Sequence, residues 1–432
     1  MDPVSKGWVV TWAGFGINLT LGVLYSWNVI ASALTTPVAS GGVHAWTPQQ
    51  AFLPYACALT CFALSMVIAG RIQDRTGPRW VATAGGALVG LGMIVASLSP
   101  AQLAGTDAFP LTMVAGFGVL TGSGIGFAYA ATVPSAMKWF SPRHRGRAVG
   151  IVISGFGFSA VLFGPLTSAL VRAFGVNEAL LVLGGVFFVV VVGLAQLLAD
   201  PPRGFVPPGL YDEVPQVAGA PIPAASVSPA AMLRTATFRR MWLAFACSTC
   251  AGLGVITALP RIAQLQLGAG EAAWLTPALL ATVALGNGAG RLLAATASDT
   301  VGRPLMLQVA FGVQAVLIIG LRFAANAGTL ATLGLLVGAA YGASLALMPA
   351  ATVDFFGTRH VGANYGLTFT AWGAGGVLAT QVEAALFEGG LGSSATSTQT
   401  TAFATSVALC VVAALLSMGL RQPGETARAS RR

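Results

Sequence analysis

The sequence predicts an all-α membrane protein with twelve transmembrane helices in two pseudo-symmetric halves of six. Three observations carry that prediction. Of the 432 residues, 55% are hydrophobic and 8% charged, whereas a soluble domain carries about 25% charged residues. Apolar runs near the ~20 residues that cross a bilayer as a helix fall six on either side of one proline-rich polar stretch. A twelve-residue segment also recurs: residues 139–150 read WFSPRHRGRAVG and residues 355–366 read FFGTRHVGANYG. At a constant offset of 216, Phe140/Phe356, Arg143/Arg359, His144/His360, Gly146/Gly362 and Gly150/Gly366 coincide.

The first six runs lie at 8–33, 48–70, 81–98, 109–137, 148–171 and 179–199. The second six lie at 240–264, 274–297, 305–324, 330–353, 361–386 and 401–420. The first opens without a cleavable signal pattern and reads as a full span. A β-barrel would show short alternating segments instead of long apolar runs. The stretch 200–239 contains PPRGFVPPGLYDEVP and APIPAASVSP and reads as a linker. The expected organisation is therefore a six-helix half at 1–199, a cytoplasmic linker at 200–239 and a second half at 240–432.

A net charge of +9 would suit nucleic acid, but the placement of the cations argues for the lipid bilayer and against nucleic acid. With both termini in the cytoplasm, all of the 22 Lys and Arg residues except Arg172, Arg261, Arg291 and Arg322 fall in cytoplasmic segments. That is the positive-inside pattern. The cysteines Cys57, Cys61, Cys247, Cys250 and Cys410 all lie in apolar runs; Cys247 and Cys250 form a C-x-x-C that reads as small packing residues. Gly118, Gly122 and Gly126 space two G-x-x-x-G steps in the fourth run and predict close helix packing. Gly164-Pro165 can bend the fifth.

One residue breaks the pattern. Arg291 stands inside the eighth run, eight residues before Asp299, where the polar loop is expected to begin. At 1.5 Å per residue that is ~12 Å, close to half of a ~30 Å hydrocarbon core. A buried guanidinium there costs ~3 kcal/mol on insertion scales and marks a functional site by default; the alternative is snorkelling to the headgroups. Gly286, Gly288, Ala289 and Gly290 thin the helix around it, as a cavity or a close helix contact requires. Asn287 lies one turn earlier on the same face. It is placed to orient the guanidinium or to meet a substrate hydroxyl. Two repeated six-helix halves place a substrate site between them near the midplane.

The run Gly70-Arg71-Ile72-Gln73-Asp74-Arg75-Thr76-Gly77-Pro78-Arg79 resembles the loop motif of the major facilitator superfamily. With the six-plus-six plan, the resemblance covers nearly the whole chain. A weaker copy ends in Asp299-Thr300-Val301-Gly302, with Ala295 where the first glycine belongs. A narrower resemblance is to the oxalate/formate antiporter and monocarboxylate transporter group. It is carried by Gly22 to Trp27, Lys138 to Gly150, Asp354 to Gly357 and Asn364 to Gly366.

The resemblance implies a major facilitator fold and a secondary active transporter working by alternating access. The cargo implied is a small monocarboxylate such as lactate, pyruvate or formate, coupled to protons. An oxalate/formate-type anion exchanger is the alternative, and a non-transporting receptor with the same fold a distant one. Arg291 matches the arginine that holds a substrate carboxylate, and Tyr129 and Tyr341 fall where the group places aromatic contacts. Tyr25 and Trp372 join them as aromatics deep in spans. Gly70, Asp74, Arg75, Arg79 and Asp299 correspond to a conformational latch, with Asp74, Arg75 and Arg79 fastening spans two and three. Trp372 stands where the resembled exchanger has a lysine, and Asn287 where animal carriers have an aspartate.

His144 and His360 lie too far from this region to serve as proton carriers. Arg261 is placed for an external gate or a headgroup contact, and Glu383 lies near the outer end of span eleven. Without a G-x-x-x-x-G-K-[ST] the chain is not read as an ATPase or other enzyme, and no cofactor or metal is expected. The carrier is expected to be a monomer in a bacterial inner (plasma) membrane.

Overall fold

The computed structural model describes residues 3–99, 109–202, 204–207, 226–388 and 393–420; the side chains of Pro3, Ala273 and 380–399 are not described. Arg203, residues 208–225 of the predicted linker, Arg421, Arg428, Arg431 and Arg432, and the side chain of Glu383 therefore lie outside the described residues. The described residues contain helices and no strand.

The first half comprises α1 (Pro3–Leu21), which continues through a 3-10 turn (Gly22–Ser26) into Trp27–Thr35, then α2 (Pro48–Thr76) and α3 (Pro78–Ser97). It ends with α4 (Leu111–Met137), α5 (Pro142–Phe174) and α6 (Val176–Ala195). The second comprises α7 (Ala236–Leu267), α8 (Ala269–Val301), α9 (Arg303–Arg322), α10 (Ala327–Phe356), α11 (Val361–Glu388) and α12 (Ser393–Met418). Among the described residues, eleven helices are long and apolar enough to cross a membrane. The further long helix, α11, spans 28 residues and carries Asn364, Thr368, Thr370 and Trp372 on its inward turns.

Several helices outrun the apolar runs because their ends are capped where the chain allows it. Thr47 caps α2 through Gln50 in a reciprocal capping box, and Asn326 caps α10 in the same way. Gly77 and Gly302 end α2 and α8 at φ of 85° and 93°, a region open to glycine without a Cβ penalty. Asp74 and Asp299 consequently sit in the last turns of helices, correcting the loop placement expected from sequence. Arg291 is then ten residues from the end of α8, ~15 Å, closer to mid-membrane than the sequence suggests. The predicted linker is also shorter: Pro229–Leu233 is helical and α7 begins at Ala236. Val227 N–H donates to the Phe356 carbonyl at 2.9 Å, tying the segment before α7 to the end of α10.

α1–α6 pack mainly with one another, as do α7–α12. Two seams join the sets: α5 against α8, and α2 against α11. Glycines let backbones touch there. A Cβ on Gly157 would come within 2.7 Å of Gly288 Cα, and one on Gly366 within 2.6 Å of the Met66 carbonyl. Within the first half, Gly122 of α4 presses on Ala58 of α2 and Gly124 on Val89 of α3; a Cβ on either glycine would lie 2.6 Å from that neighbour's backbone.

Candidate functional site

Arg291 is 1% exposed and turns into the bundle, so it does not snorkel. Its glycine neighbours serve close packing. Gly286 and Gly290 set α8 against the Leu335 and Ala339 carbonyls of α10, and Gly288 faces the Phe158 ring of α5. Arg291 Nε donates to Asn287 Oδ1 at 2.8 Å. Nη1 donates to the Ile153 carbonyl of α5 at 3.1 Å, and Nη2 to the Tyr25 hydroxyl at 3.3 Å. The guanidinium carbon lies 5.7 Å from the centre of the Phe156 ring. Among the described residues no carboxylate pairs with it. A guanidinium carries five N–H donors. Three have partners here, leaving one on each terminal nitrogen to donate to a carboxylate.

Two spaces adjoin this group. A cavity of about 340 Å³ is lined by Tyr25, Asn28, Ser32, Tyr55, Asn287 and Tyr341 among others, with apolar side chains of α7 and α8 opposite. A void of about 10 Å³ lies among Arg291, Tyr25, Tyr129, Phe156, Phe369 and Trp372, the size of one water site. Tyr25 borders both, so Arg291 is one side chain away from the cavity. Tyr129 packs on Phe62, Phe156 and Phe369 at ring distances of 5.5, 5.6 and 5.4 Å. Trp372 Nε1 donates to the Tyr341 hydroxyl at 2.9 Å and its ring stacks on Phe369 at 4.9 Å. All six predicted binding residues thus surround two adjacent spaces. Phe62, Phe156, Phe369 and the Ile153 carbonyl were not singled out from the sequence.

At the arginine-rich end, both aspartates reach across a seam. Asp74 accepts from the Gly362 and Ala363 amides at 3.0 and 2.9 Å. Asp299 accepts from the Gly146 and Arg147 amides at 2.9 and 3.0 Å. The Gly362 and Ala363 amides lie in the first turn of α11, where unpaired N–H groups and the helix dipole favour a carboxylate; Gly146 and Arg147 lie in the second turn of α5. The two clasps use equivalent residues of the repeated segment. Gly70 abuts the Gly362 backbone, and in the second copy the Ala295 carbonyl abuts Gly146, so alanine at this position preserves the clasp. Asp74 therefore fastens α2 to α11, not spans two and three to each other. Arg75 and Arg79 are exposed and make no described side-chain hydrogen bond or ion pair.

The second clasp is reinforced by charges at the edges of the apolar runs. Arg303 pairs with Asp299 at 2.5 Å and with Asp354 at 3.0 Å, and Arg145 reaches Asp354 at 3.3 Å from the other half. Among the described residues Arg261 bonds only to Gln264, 3.2 Å away on its own helix. His144 is exposed beside Ser141.

A bundle of membrane-length helices with a polar-edged cavity between two packed sets is the architecture of a membrane carrier. The family model for the Major Facilitator Superfamily matches residues 8–380, and the chain belongs to that superfamily. It is a transporter and not an enzyme. It is 28% identical over 381 residues to the oxalate:formate antiporter of Oxalobacter formigenes, covering 86% of this chain and 80% of that protein. It is 28% identical over 303 residues to human monocarboxylate transporter 11, covering 69% of this chain and 58% of that one. Among solved structures, the transporter FucP in its outward conformation aligns with a TM-score of 0.68 at 15% identity, over 97% of this chain and 100% of that one. The architecture is the major facilitator fold.

Proposed function

We propose that this transporter carries a small monocarboxylate, such as lactate, pyruvate or formate, by rocking the halves 1–199 and 240–432 around Arg291. One observation carries the reading: a fully buried guanidinium held only by neutral groups among the described residues, with one free N–H on each terminal nitrogen. An uncompensated buried charge costs several kcal/mol, and a carboxylate entering from the cavity removes that cost. Tyr25, Tyr129, Tyr341, Asn287 and Trp372 supply hydroxyl, amide and aromatic surroundings suited to a short carbon tail. The arginine-rich end faces the cytoplasm of a bacterial inner membrane, both termini are cytoplasmic, and the clasps hold the carrier open to the other side. The working unit is a monomer.

Proton symport keeps uptake of a monoanion electroneutral, the proton travelling with the acid. Oxalate/formate-type exchange is the second reading, favoured by the name of the relative from Oxalobacter formigenes. Uptake of labelled lactate, pyruvate, formate and oxalate into proteoliposomes, with and without an imposed pH gradient or internal counter-anion, separates the two. Acceleration by an acidic exterior without internal anion supports symport. Uptake that requires internal anion supports exchange. Unchanged acid affinity in Arg291→Ala overturns the site.

A further inference from the structure

We infer that residues 27–53 form a hinged flap over the cavity, and that Tyr25 couples its closure to occupancy of Arg291. The inference rests on the substrate reading of Arg291 only for its trigger. α1 leaves α geometry at one place, the 3-10 turn Gly22–Ser26, and such a stretch within a helix marks a hinge or a strained site. The base of the turn is pinned, because Gly22 faces Ser159 and the Phe156 carbonyl of α5 with no room for a Cβ. The other attachment of 27–53 is weakened too. Pro54 lies inside α2 and has no N–H for the carbonyl four residues earlier.

Between these two weak points the segment is tied to itself. Trp27 Nε1 donates to the Ala51 carbonyl at 3.2 Å, and the Trp46 amide to the Leu34 carbonyl at 2.8 Å. Behind both hinges α4 adopts a π-helix, Val114–Thr121, an irregularity frequent at functional sites. Its Phe117 ring meets Trp27 at 4.3 Å, and a Cβ on Gly118 would lie 3.2 Å from the Pro54 carbonyl. Two departures from α geometry and one helical proline, on three helices, thus converge on the root of one hairpin.

That hairpin is one wall of the cavity, through Asn28, Ser32, Thr35 and Phe52. The opposing helix α7 also carries a proline, Pro260, but is fastened to α9 on both sides of it. Ser248 donates to Gln314 Oε1 at 3.1 Å, Gln314 Nε2 returns a bond to the Ser248 carbonyl at 3.0 Å, and Gln266 donates to the Leu321 carbonyl at 2.9 Å. One wall is hinged and the other fixed. Tyr25 sits in the hinge and accepts a long bond from Arg291. A carboxylate on the two remaining N–H groups lies beside that hydroxyl, which turns from accepting to donating to the carboxylate. The turn then shifts and the flap swings inward.

The test uses paired spin labels on the full-length carrier in lipid nanodiscs, its native cysteines replaced and transport retained. One pair, Thr35 and Thr257, spans flap and fixed wall; the other, Ala160 and Leu280, spans the cavity on α5 and α8. A pivot of about 20° moves the end of a ~13 Å arm by ~4–5 Å. With lactate, pyruvate or oxalate bound, whichever the carrier takes, the flap pair shortens by that amount and the α5–α8 pair by less than half of it. Tyr25→Phe binds the acid a few-fold more weakly and loses most of the shortening; Pro54→Ala slows turnover with affinity kept. Equal shortening of both pairs is simple rocking of the halves and overturns the flap, as does bound acid with an unmoved flap pair. Full shortening in Tyr25→Phe overturns the coupling. Arg291→Gln is assayed separately. Retained acid binding there, with normal flap movement, removes the substrate reading and leaves the flap standing.

Discussion

Arg291 is legible because a charge in an apolar run has few bland explanations, and its burial removes snorkelling from those few. Its partners were only partly legible. Asn287 follows from helical spacing, since it lies one turn away on the same face. The Ile153 carbonyl carries no side-chain signature at all, and Phe156 or Phe369 in a membrane helix looks like any packing aromatic. Lysine in place of Arg291 keeps the charge and loses the fork, so one charge-assisted bond worth ~1.5–3 kcal/mol goes. Transport by Arg291→Lys is expected to fall at least ~10-fold at near-normal protein level, read as initial uptake normalised to carrier content. Trp372 is the second informative position. Its indole donates to Tyr341 and carries no charge, so Trp372→Lys adds a second cation beside Arg291. Inhibition constants for oxalate against a labelled monocarboxylate should drop in that variant relative to lactate; an unchanged ratio would mean the new ammonium does not reach the cargo.

Among the elements, the seams α2–α11 and α5–α8 join the halves through the Asp74 and Asp299 contacts. The apolar runs gave the helices, but the last turns of α2 and α8 were hidden because polar residues there read as loop. Only the glycine caps reveal that the helices continue. Asp74 accepts two amides from the opposite half while Arg75 and Arg79 point to solvent. Asp74→Asn keeps shape but lacks the charge that favours a helix N-terminus. It should slow turnover several-fold with acid affinity largely preserved, and shift labelled carriers towards opening at the arginine-rich end. Arg75→Ala should change turnover far less. Equilibrium binding and single-turnover flux, measured side by side, distinguish a conformational lesion from a binding one; equal loss in both would refute the assignment.

For the whole molecule the decisive quantity is a charge count. The repeated twelve-residue segment made the two-half plan readable, because the same loop must meet the same partner twice. The flap was not readable, since the 3-10 turn at Gly22–Ser26 and the π-helix at Val114–Thr121 leave no signature in the apolar periodicity. In the described membrane interior Arg291 is the one deep cation: Arg261 and Arg322 lie near helix ends. A monoanion neutralises it and permits occlusion. A dianion leaves one negative charge in a low-dielectric site, at several kcal/mol. Formate, lactate and pyruvate should therefore compete with a labelled monocarboxylate at least ~10-fold better than oxalate does. Oxalate competing equally would refute the count.

The clasps at the arginine-rich end have an uneven vulnerability. Each joins a side chain on one half to main-chain amides on the other, so half of every fastening is made of atoms that ordinary substitutions do not alter. Residues 362 and 363 can drift in chemistry while still presenting their N–H groups, and an inherited lesion of the clasp should be found almost always on the aspartate side. Proline is the exception. Residue 363 lies in the first turn of α11, where proline is tolerated, so Ala363→Pro removes one donor to Asp74 and leaves the helix intact. That variant should reproduce part of the Asp74→Asn behaviour with every carboxylate still in place.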